Sequence, residues 1–96
     1  MSNLEIIKMP KRFDYGASSA FNASFSAVLP KEKKVGAVIL LDCAQMEYID
    51  SSGIGLLVMS YKKAEAVGAK ISLINTRTAA KEILHLANLQ KIIEIK

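Results

Sequence analysis

Apolar residues change their spacing several times along the chain, and each change marks a predicted element. Leu4 to Met9 is a short apolar stretch that reads as a strand running to near Phe13, with Pro10 barring it from continuing as a central strand. From Ala17 to Leu29 the apolar residues Ala20, Phe21, Phe25, Val28 and Leu29 recur at steps of three and four. That spacing predicts an amphipathic helix, with Ser18 or Ser19 as its N-cap and Pro30 as its stop. Val35 to Cys43 is apolar almost throughout, the pattern of a strand covered on both faces. Asp50-Ser51-Ser52-Gly53 then opens a helical pattern through Ile54, Leu57, Val58, Tyr61 and Ala64, which Gly68 ends. Lys70 to Asn75 predicts another strand. Thr76 or Thr78 would cap a third helix through Ile83, Leu84, Leu86 and Ala87, with Asn88 at its end. Ile92, Ile93 and Ile95 predict a last short strand.

The order β-α-β-α-β-α-β points to an α/β layer fold with a mixed, largely parallel sheet of about four strands and helices packed on it. In such folds partner and ligand sites gather at the carboxyl ends of strands, where the next helix begins, and Ser51 falls in such a place. A chain of 96 residues, 51% hydrophobic and 23% charged, fits one folded domain over residues 1–96. No apolar run approaches the ~18 residues of a membrane span. The opening residues carry an acidic group and no basic segment, so no signal peptide is expected. The single cysteine, Cys43, has no internal partner, which fits a reducing cytoplasm. The net charge of +4 comes from loop clusters and helix faces, Lys8 to Arg12, Lys31 to Lys34 and beyond Lys62. Arginine and aromatic residues do not alternate there, so no direct nucleic-acid role is expected. With no run long enough to span a bilayer, no membrane partner is expected either.

Asp50-Ser51-Ser52-Gly53-Ile54-Gly55 is the one dense chemical signal. Entering a helix, it receives free backbone N–H groups and the positive end of the helix dipole, so a phosphate on Ser51 would be tolerated there. The plainer alternative is that Asp50, Ser51 and Ser52 only cap the helix, since Asp and Ser are preferred caps anywhere. Other chemistries fit less well. No lysine follows Gly55 as a P-loop needs, and Ile49 stands where a nucleophile elbow has its first glycine. His85, the only histidine, reads as a half-buried packing residue between Leu84 and Leu86. Cys43 has no companion for a metal site, and neither catalysis, metal nor cofactor is expected. With Ile54, Leu57, Val58, Tyr61 and Ala64 turned inward, Ser52, Leu56, Met59 and Lys63 lie on the opposite helix face. Leu56 and Met59 are apolar where a solvated face would be polar. Either another element covers them, or they form a docking patch beside Ser51.

The block from Ala37 through Asp50-Ser51-Ser52-Gly53 to Leu57 resembles the central motif of the STAS domains of bacterial anti-sigma factor antagonists. Lys11-Arg12-Phe13-Asp14 before the Ala20-Phe21 helix is similar to their first turn, and Ile71 to Ile95 to their C-terminal third. The resemblance implies that a serine kinase, often itself the anti-sigma factor, phosphorylates Ser51. The unphosphorylated form would bind that factor and release a sigma factor, and a serine phosphatase would reset the switch. It also implies that Asp14 sits near Ser51 and helps form the docking surface. Together with the helix-face patch, the expected partner contacts are Asp14, Asp50, Ser52, Gly53, Leu56, Met59 and Lys63. Two departures stand out: one strand precedes Phe13 where a hairpin is usual, and Lys11 replaces a frequent glycine. An accessory subunit of a lipid ABC transporter is the alternative reading, disfavoured by the Asp-Ser-Ser core.

Overall fold

The computed structural model describes residues 3–96; Met1 and Ser2 of the opening stretch lie outside the described residues. Six strands and three helices follow the chain as β1 (Leu4–Lys8), β2 (Arg12–Phe13), α1 (Ser18–Val28), β3 (Val38–Asp42), β4 (Tyr48–Ile49), α2 (Ser51–Ala66), β5 (Lys70–Ile74), α3 (Thr78–Leu86) and β6 (Glu94–Ile95). Four strands form one sheet in the order β1-β3-β5-β6, and every pairing in it is parallel. Register aligns Ile7, Leu41, Leu73 and Ile95 across it. Ile7, Leu41 and Leu73, with their neighbours Ile39 and Ile71, form one core with Phe21 and Phe25 of α1, Leu57 and Ala64 of α2, and Ala80 and Leu84 of α3, and half-buried Ile95 packs against it.

The uniformly apolar Val35–Cys43 run is therefore not covered on both faces. Ile39 and Leu41 are buried, whereas Val38, Leu40 and Asp42 are half-exposed, and Leu4 and Ile6 on the same face are exposed. The strand starts only at Val38, because Gly36 takes φ +93° and turns the chain first. Ile92 and Ile93 likewise precede the last strand, since a single 3-10 turn, Leu89–Lys91, takes up part of the segment.

The predicted first strand is two strands. β1 stops at Lys8, and Pro10, which has no N–H to give, separates it from β2. β2 leaves the main sheet and pairs in parallel with β4, Arg12 opposite Tyr48 and Phe13 opposite Ile49. The crossing is held by Lys11, whose carbonyl accepts from the Glu47 and Tyr48 N–H groups, and by Gln45 Nε2, which donates to the Met9 carbonyl at 2.8 Å. Fully buried Phe13 then packs edge-on to Phe21, with ring centres 5.0 Å apart.

Helix ends also differ from expectation in who caps them. Ser18, Ser19, Thr76 and Thr78 cap nothing: the cap positions are Ala17 and Arg77, neither using its side chain. Leu29, extended ahead of Pro30, closes α1, and Gly68 (φ +76°) closes α2 as predicted. Asn88, left-handed at φ +62°, ends the α3 segment.

Candidate functional site

The minor pair β2-β4 builds the site. Because Phe13 and Ile49 are in register on parallel strands, the next residues, Asp14 and Asp50, leave neighbouring carboxyl ends side by side. Both take nearly the same backbone conformation, φ −129°, ψ −168° and φ −126°, ψ −171°. Both cap the turn that follows. Asp14 accepts from Gly16 N–H at 3.0 Å, opening a 3-10 turn (Tyr15–Ala17) into α1. Asp50 accepts from Ser52 N–H at 3.0 Å and Gly53 N–H at 3.2 Å, opening α2.

This division of labour leaves both serines out of the capping. Asp50 alone caps the helix; Ser51 and Ser52 are helical, exposed, and their hydroxyls make no hydrogen bond among the described residues. Ser51 is the first helical residue, where the dipole is positive and its own N–H has no intrahelical acceptor. An anion added at Ser51 meets that end of the helix.

Gly53, expected among the partner contacts, is instead buried beneath the site. A Cβ there would lie 2.2 Å from the Phe13 carbonyl oxygen and 2.9 Å from Ile49 Cγ1. Its role is to let the start of α2 seat directly on β2 and β4. Leu56 is also not the exposed residue the helical face suggested, being half-buried against the core. Met59 is 52% exposed; Lys63, expected in the same docking surface, is exposed in the last turn of α2, at the far end of the helix from Ser51, and so stands apart from the site. Tyr15, Ser18, Ser52, Gly55, Leu56 and Met59 line a shallow depression of about 360 Å³ beside the caps. Tyr15, 80% exposed, was missed in the sequence. Its signal was available in hindsight: it follows Asp14 as Ser51 follows Asp50.

No basic residue lies between Lys34 and Lys62 in the sequence, yet one stands near the Ser51 end of the molecule in space. Arg12 stands across from Tyr48, its guanidinium 4.2 Å above the ring centre and its Nε 3.4 Å from Asp14 Oδ2. A cation thus reaches the Ser51 end of the molecule from the neighbouring strand. Arg77 ties down the far side, donating from Nε to the Ala44 carbonyl at 2.9 Å and pairing with Glu47 at 3.6 Å.

The remaining chemical side chains stand apart from this site. Cys43 is fully buried, and burial pushes its thiol up to about 11, far from a nucleophile's range. His85 is exposed on α3 beside the most exposed leucine, Leu86, and is not the half-buried packing residue expected from its neighbours. Asp42 is held below the ordinary carboxylate range, chiefly because Asn75 donates to it, so it serves to tie β3 to the end of β5. The described residues include no helix long and apolar enough to cross a membrane.

Comparison with known proteins agrees with this architecture. A STAS-domain containing protein of Pseudomonas aeruginosa (strain UCBPP-PA14) is 28% identical over 89 residues, 93% of this chain and 84% of that protein. The crystal structure of a Thermotoga maritima protein, a candidate anti-sigma factor antagonist, aligns with a TM-score of 0.81 at 23% identity, over 99% of this chain and 80% of its own. The unphosphorylated form of the anti-sigma factor antagonist SpoIIAA aligns at 0.76 and 20% identity, over 99% and 82% of the two chains. A sulfate transporter family protein from Wolinella succinogenes also aligns at 0.76, with 18% identity, over 93% and 70%. At such identities these structures establish a shared fold. Residues 2–96 match the STAS domain, and the chain belongs to that family.

Proposed function

We infer that the chain is a cytoplasmic protein-interaction switch of the anti-sigma factor antagonist kind, with Ser51 as its phosphoacceptor. One observation carries the reading: capping is done by Asp50, so the exposed Ser51 hydroxyl has no structural duty at the positive end of α2. The fold shared with SpoIIAA, an anti-sigma factor antagonist whose unphosphorylated form has been solved, supports it. In this reading the unmodified chain binds an anti-sigma factor that is also its kinase and so releases a sigma factor. Phosphorylation ends the complex, and a serine phosphatase restores it.

Composition at this end of the molecule suits protein docking. Exposed Tyr15, Tyr48 and Met59, together with both arginines of the chain, are residue types enriched in protein interfaces. The Asp14 and Asp50 carboxylates fix the rim, and the depression between Tyr15 and Met59 offers an apolar seat. The fold alone does not separate this role from that of a transporter-associated STAS domain; the unencumbered serine favours the switch.

Incubation with the cognate kinase and ATP, followed by fragment mass spectrometry, is expected to place the phosphate on Ser51. Phosphate mainly on Ser52, or persisting in Ser51→Ala, overturns the assignment. Met59→Lys is expected to weaken the partner complex by about tenfold or more while the melting temperature stays within a few degrees, because half of Met59 already faces water. Binding unchanged by that substitution would move the docking surface elsewhere.

A further inference from the structure

We propose that the amino-terminal pole of the sheet, opposite Ser51, adsorbs to anionic phospholipid surfaces. Lys31, Lys33 and Lys34 lie on the loop between α1 and β3, Lys70 at the start of β5, and Lys62 and Lys63 in the closing turns of α2. The fold joins these segments: Lys34 N–H donates to the Val67 carbonyl just past α2, and Lys70 N–H to the Ala37 carbonyl. Val35 packs against Gly68 there and is otherwise 79% exposed, an apolar tip flanked by lysines. The acids at this end are Glu5, Glu32 and Glu65, half as many as the lysines, and Glu94, in the groove beside Lys70, is paired with Lys96, so the pole holds most of the chain's net charge of +4. At the other pole Lys8, Lys11, Arg12 and Arg77 are matched by Asp14, Asp42, Glu47 and Asp50.

The chemistry of the cations selects the partner class. The ion pairs among the described residues are Arg12–Asp14, Arg77–Glu47 and Lys96–Glu94, so none of the pole's lysines is paired among those residues. All are lysine and none arginine. Lysine is depleted in protein interfaces, whereas arginine, with its fixed fork, is the residue that recognises carboxylates in a partner protein. Clustered flexible ammonium groups around one exposed apolar side chain suit a diffuse layer of lipid phosphates. Peripheral adsorption of this kind needs no membrane-spanning helix. Ser51 opens α2 and Lys62 and Lys63 lie in its closing turns, so a molecule held by this pole presents Ser51 away from the lipid, where another protein could reach it.

Sedimentation of the full chain with vesicles of one part phosphatidylglycerol to two parts phosphatidylcholine is the test, at about 0.1 M salt, where charges within ~10 Å still act. Binding to these vesicles and not to pure phosphatidylcholine is expected, with a loss of about fivefold per lysine neutralised. Lys31→Gln/Lys33→Gln/Lys34→Gln should therefore abolish measurable binding while melting normally. The charge-matched Lys81→Gln/Lys91→Gln/Lys96→Gln should keep most of it. Absence of binding by the unmodified chain, equal loss in both triple variants, or displacement from vesicles by charge-equivalent polyglutamate at lower concentration than by soluble phosphatidylglycerol headgroup overturns the proposal, the last in favour of an acidic protein partner.

Discussion

Ser51→Asp is expected to abolish partner binding while shifting the melting temperature by no more than a few degrees, and Ser51→Ala is expected to bind constitutively. In the free protein a negative charge at the first helical residue sits at the positive end of α2, where it is favoured by ~0.3–1 kcal/mol. Asp50 opposes it from the cap position. The balance within the fold is close to neutral. In the complex the same charge must give up water against the partner beside two carboxylates already committed as caps. A penalty of about 3 kcal/mol lowers affinity by more than 100-fold, and a phosphate, carrying about −1.5 to −2 charges, has a larger effect than Asp. Thermal melting of both variants, set beside their partner affinities by calorimetry, decides the matter. A Ser51→Asp protein that melts far lower would mean that the switch works through the fold, and one that binds normally would leave Ser51 without a role in docking.

Arg12 shows what the sequence could not disclose about this site. The alternation of strands and helices, the Asp-Ser-Ser-Gly entry to α2 and the stop at Gly68 are local signals, encoded by spacing, caps and glycine, and they are legible without a structure. The minor pair β2-β4 is two residues long on each strand, too short for any periodicity to reveal. Yet that pair sets Asp14 beside Asp50 and Arg12 over Tyr48, contacts between residues 36 positions apart. The same limit explains β3. An unbroken apolar run says that side chains tolerate burial, but only the tertiary arrangement decides which face receives the helices, and here Val38 and Leu40 stay half-exposed. Serines before a helix signal capping as readily as chemistry; the competition with Asp50 for the same N–H groups is decided by geometry, which gives both bonds to the aspartate.

Gly53→Ala is expected to destabilise the domain strongly, and Gly55→Ala, two positions later in the same helix, to stabilise it. Alanine is the better helix former by about 0.8–1 kcal/mol, so propensity favours both substitutions equally. Packing separates them. At Gly55 a Cβ meets nothing within 4 Å, and the helical gain of about 0.5–1 kcal/mol remains. At Gly53 the added carbon would lie 2.2 Å from a backbone oxygen, that of Phe13, and 2.9 Å from both the Phe13 ring and Ile49. Neither strand can yield cheaply, because Phe13 is fully buried against Phe21 and both strands are fixed by their mutual pairing. Overpacking of a site this rigid costs about 2–4 kcal/mol, a large share of the 5–15 kcal/mol typical of a small domain. For a chain of this size the melting temperature should fall by about 10 °C or more in Gly53→Ala and rise by a few degrees in Gly55→Ala. The start of α2 would be lifted off β2 in the Gly53 variant, separating the Asp50 cap from Asp14, so partner binding should fall with stability. Differential scanning calorimetry of the two variants side by side is the measurement. Equal melting temperatures would mean that the strand-helix contact beneath Ser51 is loose, and that the two carboxylates are not held in register by the fold.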